Sequence, residues 1–168
     1  TGTGLETLSD GVTITTADNT TQLTLKSTDA DANNGPILDM VRDSSSPADG
    51  DEVGVIRFKF DDDAGEVNTA VQIQAKIEDA SNSAEDGSLE ITTLIAGSSR
   101  SRMECTSTET VFNEDSLDID FRVESLSDAN SFVVEGATKG IGMGTDDPTV
   151  DASLSGISVP SGSRVLHF

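Results

Sequence analysis

Tryptophan and tyrosine are missing altogether, cysteine and histidine occur once each, and ten Lys plus Arg face 31 Asp plus Glu. Each shortage removes a class of function. A nucleic-acid binder needs clustered Lys and Arg to displace counterions from phosphate, and a formal net charge of −21 argues strongly against one. The same charge argues against docking on an anionic membrane. Cys105 has no second cysteine to bridge, so no intrachain disulfide is expected, and its place in an alternating run reads as a small apolar side chain. No apolar run reaches the length of a membrane-crossing helix, and no signal peptide is recognisable. The chain begins at Thr1 without an initiator Met, so the expectation is a processed chain or a piece of a longer polypeptide.

Chemistry fares no better. The sole imidazole, His167, stands one residue from the end and offers poor material for a Ser-His-Asp triad or a general base. Cys105 as a nucleophile would depend on that same residue. Asp118 and Asp120 share a face of an alternating run and could flank a glycosidic bond. A sugar-cleaving site usually adds aromatic platforms, and a solvated acidic face is the default reading of such carboxylates. The sequence therefore predicts no enzyme, with no catalytic, cofactor-binding or metal-ligating residue assigned.

Apolar residues make up 34% of the chain, against roughly 45–50% in an ordinary soluble domain. A core built from so little is lean, and sharing apolar surface with identical chains is one remedy. Disorder is the competing reading of such a composition. Regular apolar periodicity counts against it.

That period is two. Alternation appears in Val12-Thr-Ile-Thr-Thr16, Leu23-Thr-Leu25, Val53-Gly-Val55-Ile-Arg-Phe58-Lys-Phe60 and Val71-Gln-Ile73-Gln-Ala75-Lys-Ile77-Glu. It continues through Leu89-Glu-Ile91-Thr-Thr-Leu94-Ile95, Arg100-Ser-Arg102-Met-Glu-Cys105 and Leu117-Asp-Ile119-Asp-Phe121-Arg-Val123-Glu, and ends with Phe132-Val-Val134 and Val165-Leu166. Apolar residues at every second position occupy one face of a half-buried strand. Turn chemistry separates the runs: Asp10-Gly11, Asp49-Gly50 and Asp86-Gly87 are turn dipeptides, and Ser44-Ser-Ser-Pro47-Ala-Asp-Gly50 is a breaker cluster. Residues 61–65 and 79–87 read as acidic hairpin loops. The expected fold is all-β, an antiparallel meander or sandwich of about eight to ten strands, in a packed or intertwined homotrimer. Ile119, Phe121 and Val123 are among the expected core residues. The expected organisation is an N-terminal arm over 1–19, a β-rich module over 20–135 and a Gly/Ser-rich extended segment over 136–168.

Two acidic loops invite a calcium reading. Asp29-Ala-Asp31-Ala-Asn33-Asn34-Gly35 opens like an EF-hand loop, but its sixth place is Asn34 and its twelfth Met40. Asp61, Asp62, Asp63 and Glu66 form a second oxygen-rich loop. Plain acidic turns are the default for both. Zinc lacks a ligand set. Asn19-Thr-Thr21 is a formal glycosylation sequon of the kind that arises by chance.

Ile141-Gly-Met-Gly-Thr145-Asp-Asp-Pro148 resembles the Val-Gly-Ile-Gly-Thr-x-x-Pro segment that recurs in tail-fibre proteins of tailed phages, with Met143 as the departure. Residues 110–124, Thr110-Val-Phe-Asn-Glu-Asp-Ser-Leu-Asp-Ile-Asp-Phe-Arg-Val-Glu124, are similar to a phrase in fibre-like proteins of marine phages. Leu23-Thr-Leu-Lys-Ser-Thr-Asp29 and its continuation through Asp43 resemble the same group. The resemblance spans most of 20–148. It implies a trimeric, β-rich structural protein of the virion, with other virion proteins as partners. A fibre or spike module is the first expectation. The short run beyond Pro148 leaves room for a capsid decoration (cement) protein, and a module gripping a host-surface glycan is a further alternative.

Overall fold

The computed structural model describes residues 11–126, 129–137 and 141–142 of the chain. The chain divides into two units, Thr1–Met40 and Val41–Phe168. In the first, residues 11–40 carry no strand and every one of them is exposed. The alternating runs at 12–16 and 23–25 are therefore not strands here. Alternation offers a face to bury, but a strand also needs a neighbouring backbone to take its hydrogen bonds, and among the described residues none pairs with them.

The second unit holds two antiparallel sheets and, among the described residues, no helix. The larger is a five-stranded meander of β1 (Glu52–Asp61), β2 (Val67–Asp79), β3 (Asp86–Ile95), β4 (Ser98–Cys105) and β5 (Thr110–Phe112), in spatial order β1-β2-β3-β4-β5. The smaller joins β6 (Phe121–Val123), β7 (Phe132–Val134) and β8 (Ile141–Gly142) in that order. The all-β antiparallel expectation holds, and the runs at 53–60, 71–78, 89–95 and 100–105 lie within β1 to β4.

Turn chemistry explains the connections. The Asp62 carboxylate accepts the backbone N–H groups of Ala64 and Glu66 at 3.0 and 2.9 Å and the Asn68 amide at 2.9 Å, which closes the β1–β2 hairpin. The β3–β4 hairpin turns on Ala96 and Gly97, both at positive φ (48° and 78°), between the paired Ile95 and Ser98. Two left-handed residues in a two-residue loop match the twist of the flanking strands. Asp86-Gly87, expected to be a turn, instead opens β3 with Gly87 paired to Ile77; the turn sits earlier in the connection, where Ser83 takes φ 69°.

The 117–124 run departs most from expectation. Only Phe121–Val123 is strand. Asn113 at φ 65° and Ser116 at φ 51° bend the chain just before it. The Asn113 side chain holds the bend, its amide donating to the Leu117 carbonyl at 2.8 Å and its oxygen accepting the Leu117 N–H at 3.1 Å. Of the three expected core residues, Ile119 and Phe121 are half-buried and Val123 is 46% exposed. The buried apolar core among the described residues is Val133 alone. Residues 165–166 lie outside the described residues.

Candidate assembly surface

The register of the larger sheet sorts its side chains into rows, because directly paired residues face the same side. The middle row is Ile56, Ile73, Ile91, Met103 and Phe112, one apolar residue from each of five strands. Beside it run Gly54, Ala75, Leu89, Cys105 and Thr110 on one flank and Phe58, Val71, Thr93 and Arg100 on the other. Arg100 is the sole charge in these three rows, and none of them contains an acid. In a chain where acids outnumber bases by 31 to 10, an acid-free face of this extent is a pattern and not an average.

The pairing slips at four places: between Glu52 and Gly54, between Ile91 and Thr92, between Phe58 and Lys59 and between Ile77 and Asp79. At the second slip Arg102 is the extra residue: Met103 stays with Ile91 on the apolar side and Ser101 stays with Thr92 on the other. An unbroken alternation over Ser101, Arg102 and Met103 would have put a residue of the wrong kind on one of the faces.

The face is open. Ile56 is 44%, Phe58 56% and Phe112 50% exposed, and Ile73, Ile91 and Met103 are only half-buried. At the β5 end it continues into the smaller sheet by ring contact, with Phe112 4.9 Å from Phe121 and Phe121 6.3 Å from Phe132 between centroids. The first pair is tilted and the second edge-on, and favourable aromatic pairs contribute about 0.5–1.5 kcal/mol each beyond their area.

The opposite face is polar and better covered. Its rows are Arg57, Gln72, Thr92 and Ser101, and Val55, Gln74, Glu90, Glu104 and Val111. Arg57 donates to the Gln72 side chain at 2.7 Å, and Gln72 donates to Gln74 at 2.8 Å. Gln74 is thereby buried with its oxygen satisfied. Ser101 is covered too, and its N–H donates to Asp115 at 2.9 Å. The sequence pattern marks this face as polar but gives no sign that its middle is the drier one.

The acids of the candidate sites are spent on backbone. Asp29 and Asp31 accept the N–H groups two residues on, at 3.4 and 2.9 Å, so the EF-hand-like loop is a pair of successive Asx turns. In the second loop, the Glu66 N–H chiefly holds the Asp62 carboxyl below its usual range, with Ala64, Asn68 and Gly65 adding to it. Asp79 is lowered by the Ser81 hydroxyl and N–H, Asp18 by those of Thr20, and Glu85 by its own N–H and that of Ser83. Among the described residues no group of three or more His, Cys, Asp or Glu is arranged to hold a metal. Asp118 and Asp120 precede β6 and do not share a strand face; Asp120 accepts the Gly136 N–H at 3.1 Å. Cys105 is half-buried on the apolar face, and His167 lies outside the described residues.

A shallow cleft of about 390 Å³ opens between the 113–117 bend and the β7–β8 hairpin, lined by Asn113, Ser116, Leu117, Val134, Glu135, Gly136 and Ile141. Its lining is mostly apolar, and it holds no constellation of polar groups like that of a ligand site. Among the described residues no helix is long and apolar enough to cross a membrane. Comparison with protein-family models, with curated proteins and with solved structures finds no match to this chain.

Proposed function

We propose that the chain is a non-enzymatic structural module of a tailed-virus particle, of fibre or spike type, whose working unit is a homotrimer. The observation that carries this reading is the uncovered apolar face in a chain whose described residues bury one apolar side chain. Monomeric soluble proteins rarely leave a contiguous apolar patch in water unless it binds something. The resemblance of residues 20–148 to fibre-like proteins of marine phages supports the same reading and supplies the particle.

Imaging purified virions with this chain labelled tests it. Label at the tail supports a fibre or spike, and label at regular capsid positions supports a decoration role with the same trimer. Particles without label overturn the proposal. Saturable binding on a glycan array would move the function to the host-surface reading instead.

A further inference from the structure

The apolar face has a definite width, and that width says how many copies can close over it. We infer that the trimer forms face to face, with the row Ile56, Ile73, Ile91, Met103 and Phe112 of three copies turned inward around the axis, an inference that rests on the trimer reading above. Charge selects the occupant. Copies that each carry a formal −21 repel wherever their acids meet, and this face presents no acid and one cation, Arg100. A basic partner would instead be drawn to the acidic turns, which leaves the neutral face to a second and third copy of the chain.

Geometry selects the number. Five strands about 4.8 Å apart span about 19 Å, and three such walls of a triangular prism stand about 5.5 Å from its axis, close to half the roughly 10 Å spacing of sheets packed face to face. One layer of side chains from each wall fills that interior. Threefold closure also brings the free edge of β1, ten residues long, beside the three-residue edge strand β5 of the next copy, so that part of that edge is covered. Two sheets stacked back to back would cover the face but leave both edges in water.

Cys105 is a native reporter, because it lies in the row beside the middle one. The test is native mass measurement of the full chain together with alkylation of Cys105 by iodoacetamide. A trimer whose thiol reacts at least roughly tenfold more slowly than in urea is expected, since burial shields the thiolate. Ile73→Glu and Ile91→Glu should reduce the trimer to monomer, while Lys59→Glu should leave it intact. If the glutamate variants lose their β circular-dichroism signal, thiol protection in the unaltered chain decides alone. A trimer whose Cys105 reacts as fast as in urea, or one that survives both glutamates, overturns the face-to-face interface and leaves the virion reading standing. A monomeric or dimeric unaltered chain overturns both.

Discussion

At the scale of single residues, the acids of this protein act as backbone acceptors as much as surface charge. Asp62 is the clearest case: its carboxylate ties two N–H groups and an amide into the β1–β2 turn, and those bonds hold its pKa down. A group with a depressed folded pKa contributes stability that is present above its unfolded value and lost as pH falls through the folded one. Asp62→Ala should therefore lower the melting temperature by a few degrees at pH 7. The difference from the unaltered chain should shrink below the ordinary carboxyl value of 3.8, a comparison that calorimetry across pH makes directly. Gly136 is a second single-residue dependence. A Cβ there would press on the Ile119 backbone nitrogen and lie 2.9 Å from its carbonyl oxygen and 3.0 Å from the Asp118 carbonyl carbon. Backbone does not step aside as a flexible side chain would. Gly136→Ala is thus expected to cost about 1–3 kcal/mol, as forced overpacking does, read from urea denaturation. Its effect should appear in the smaller sheet first.

At the scale of elements, hairpins decide the fold, and they differ in how openly the sequence declares them. The β1–β2 and β2–β3 connections were legible because acidic, small-residue loops separate long alternating runs, with Gly65 in the first of them. The β3–β4 turn was not, because Ala96-Gly97 carries no Asn or Asp to mark it, yet both residues take positive φ. A left-handed alanine costs about 1–2 kcal/mol relative to a residue that tolerates the conformation. Replacing Ala96 with Asn should stabilise the chain by roughly 0.5–1 kcal/mol without changing register, seen as a higher urea midpoint. The 117–124 run misled for the opposite reason: its alternation is unbroken, but the Asn113 bend consumes its first half. Residues 12–16 and 23–25 alternate as well, and periodicity cannot say whether a partner strand exists. The apolar face was legible as separate alternating segments. Its unity across five strands was not, since it depends on bulges such as the one at Arg102 that only pairing reveals.

At the scale of the whole molecule, two opposed terms would govern the proposed association. Apolar surface favours it, and a net charge of −21 per chain resists it. Salt weakens only the second, with a Debye length of about 30 Å at 0.01 M and about 8 Å at 0.15 M. The association constant is expected to rise roughly tenfold or more between those salt levels, as sedimentation equilibrium would record. Flat or falling association with added salt would mean that ion pairs, not apolar contact, hold the copies. The meander itself has a kinetic corollary. Each strand of the larger sheet pairs with its neighbour in sequence, so contact order is low for a β protein and loop-closure entropy is modest. Each chain can lay down its sheet while still alone. For the proposed trimer, the slow step of renaturation would then be encounter between preformed sheets, and yield from dilute solution should be limited by collision frequency, with hairpin formation completed long before.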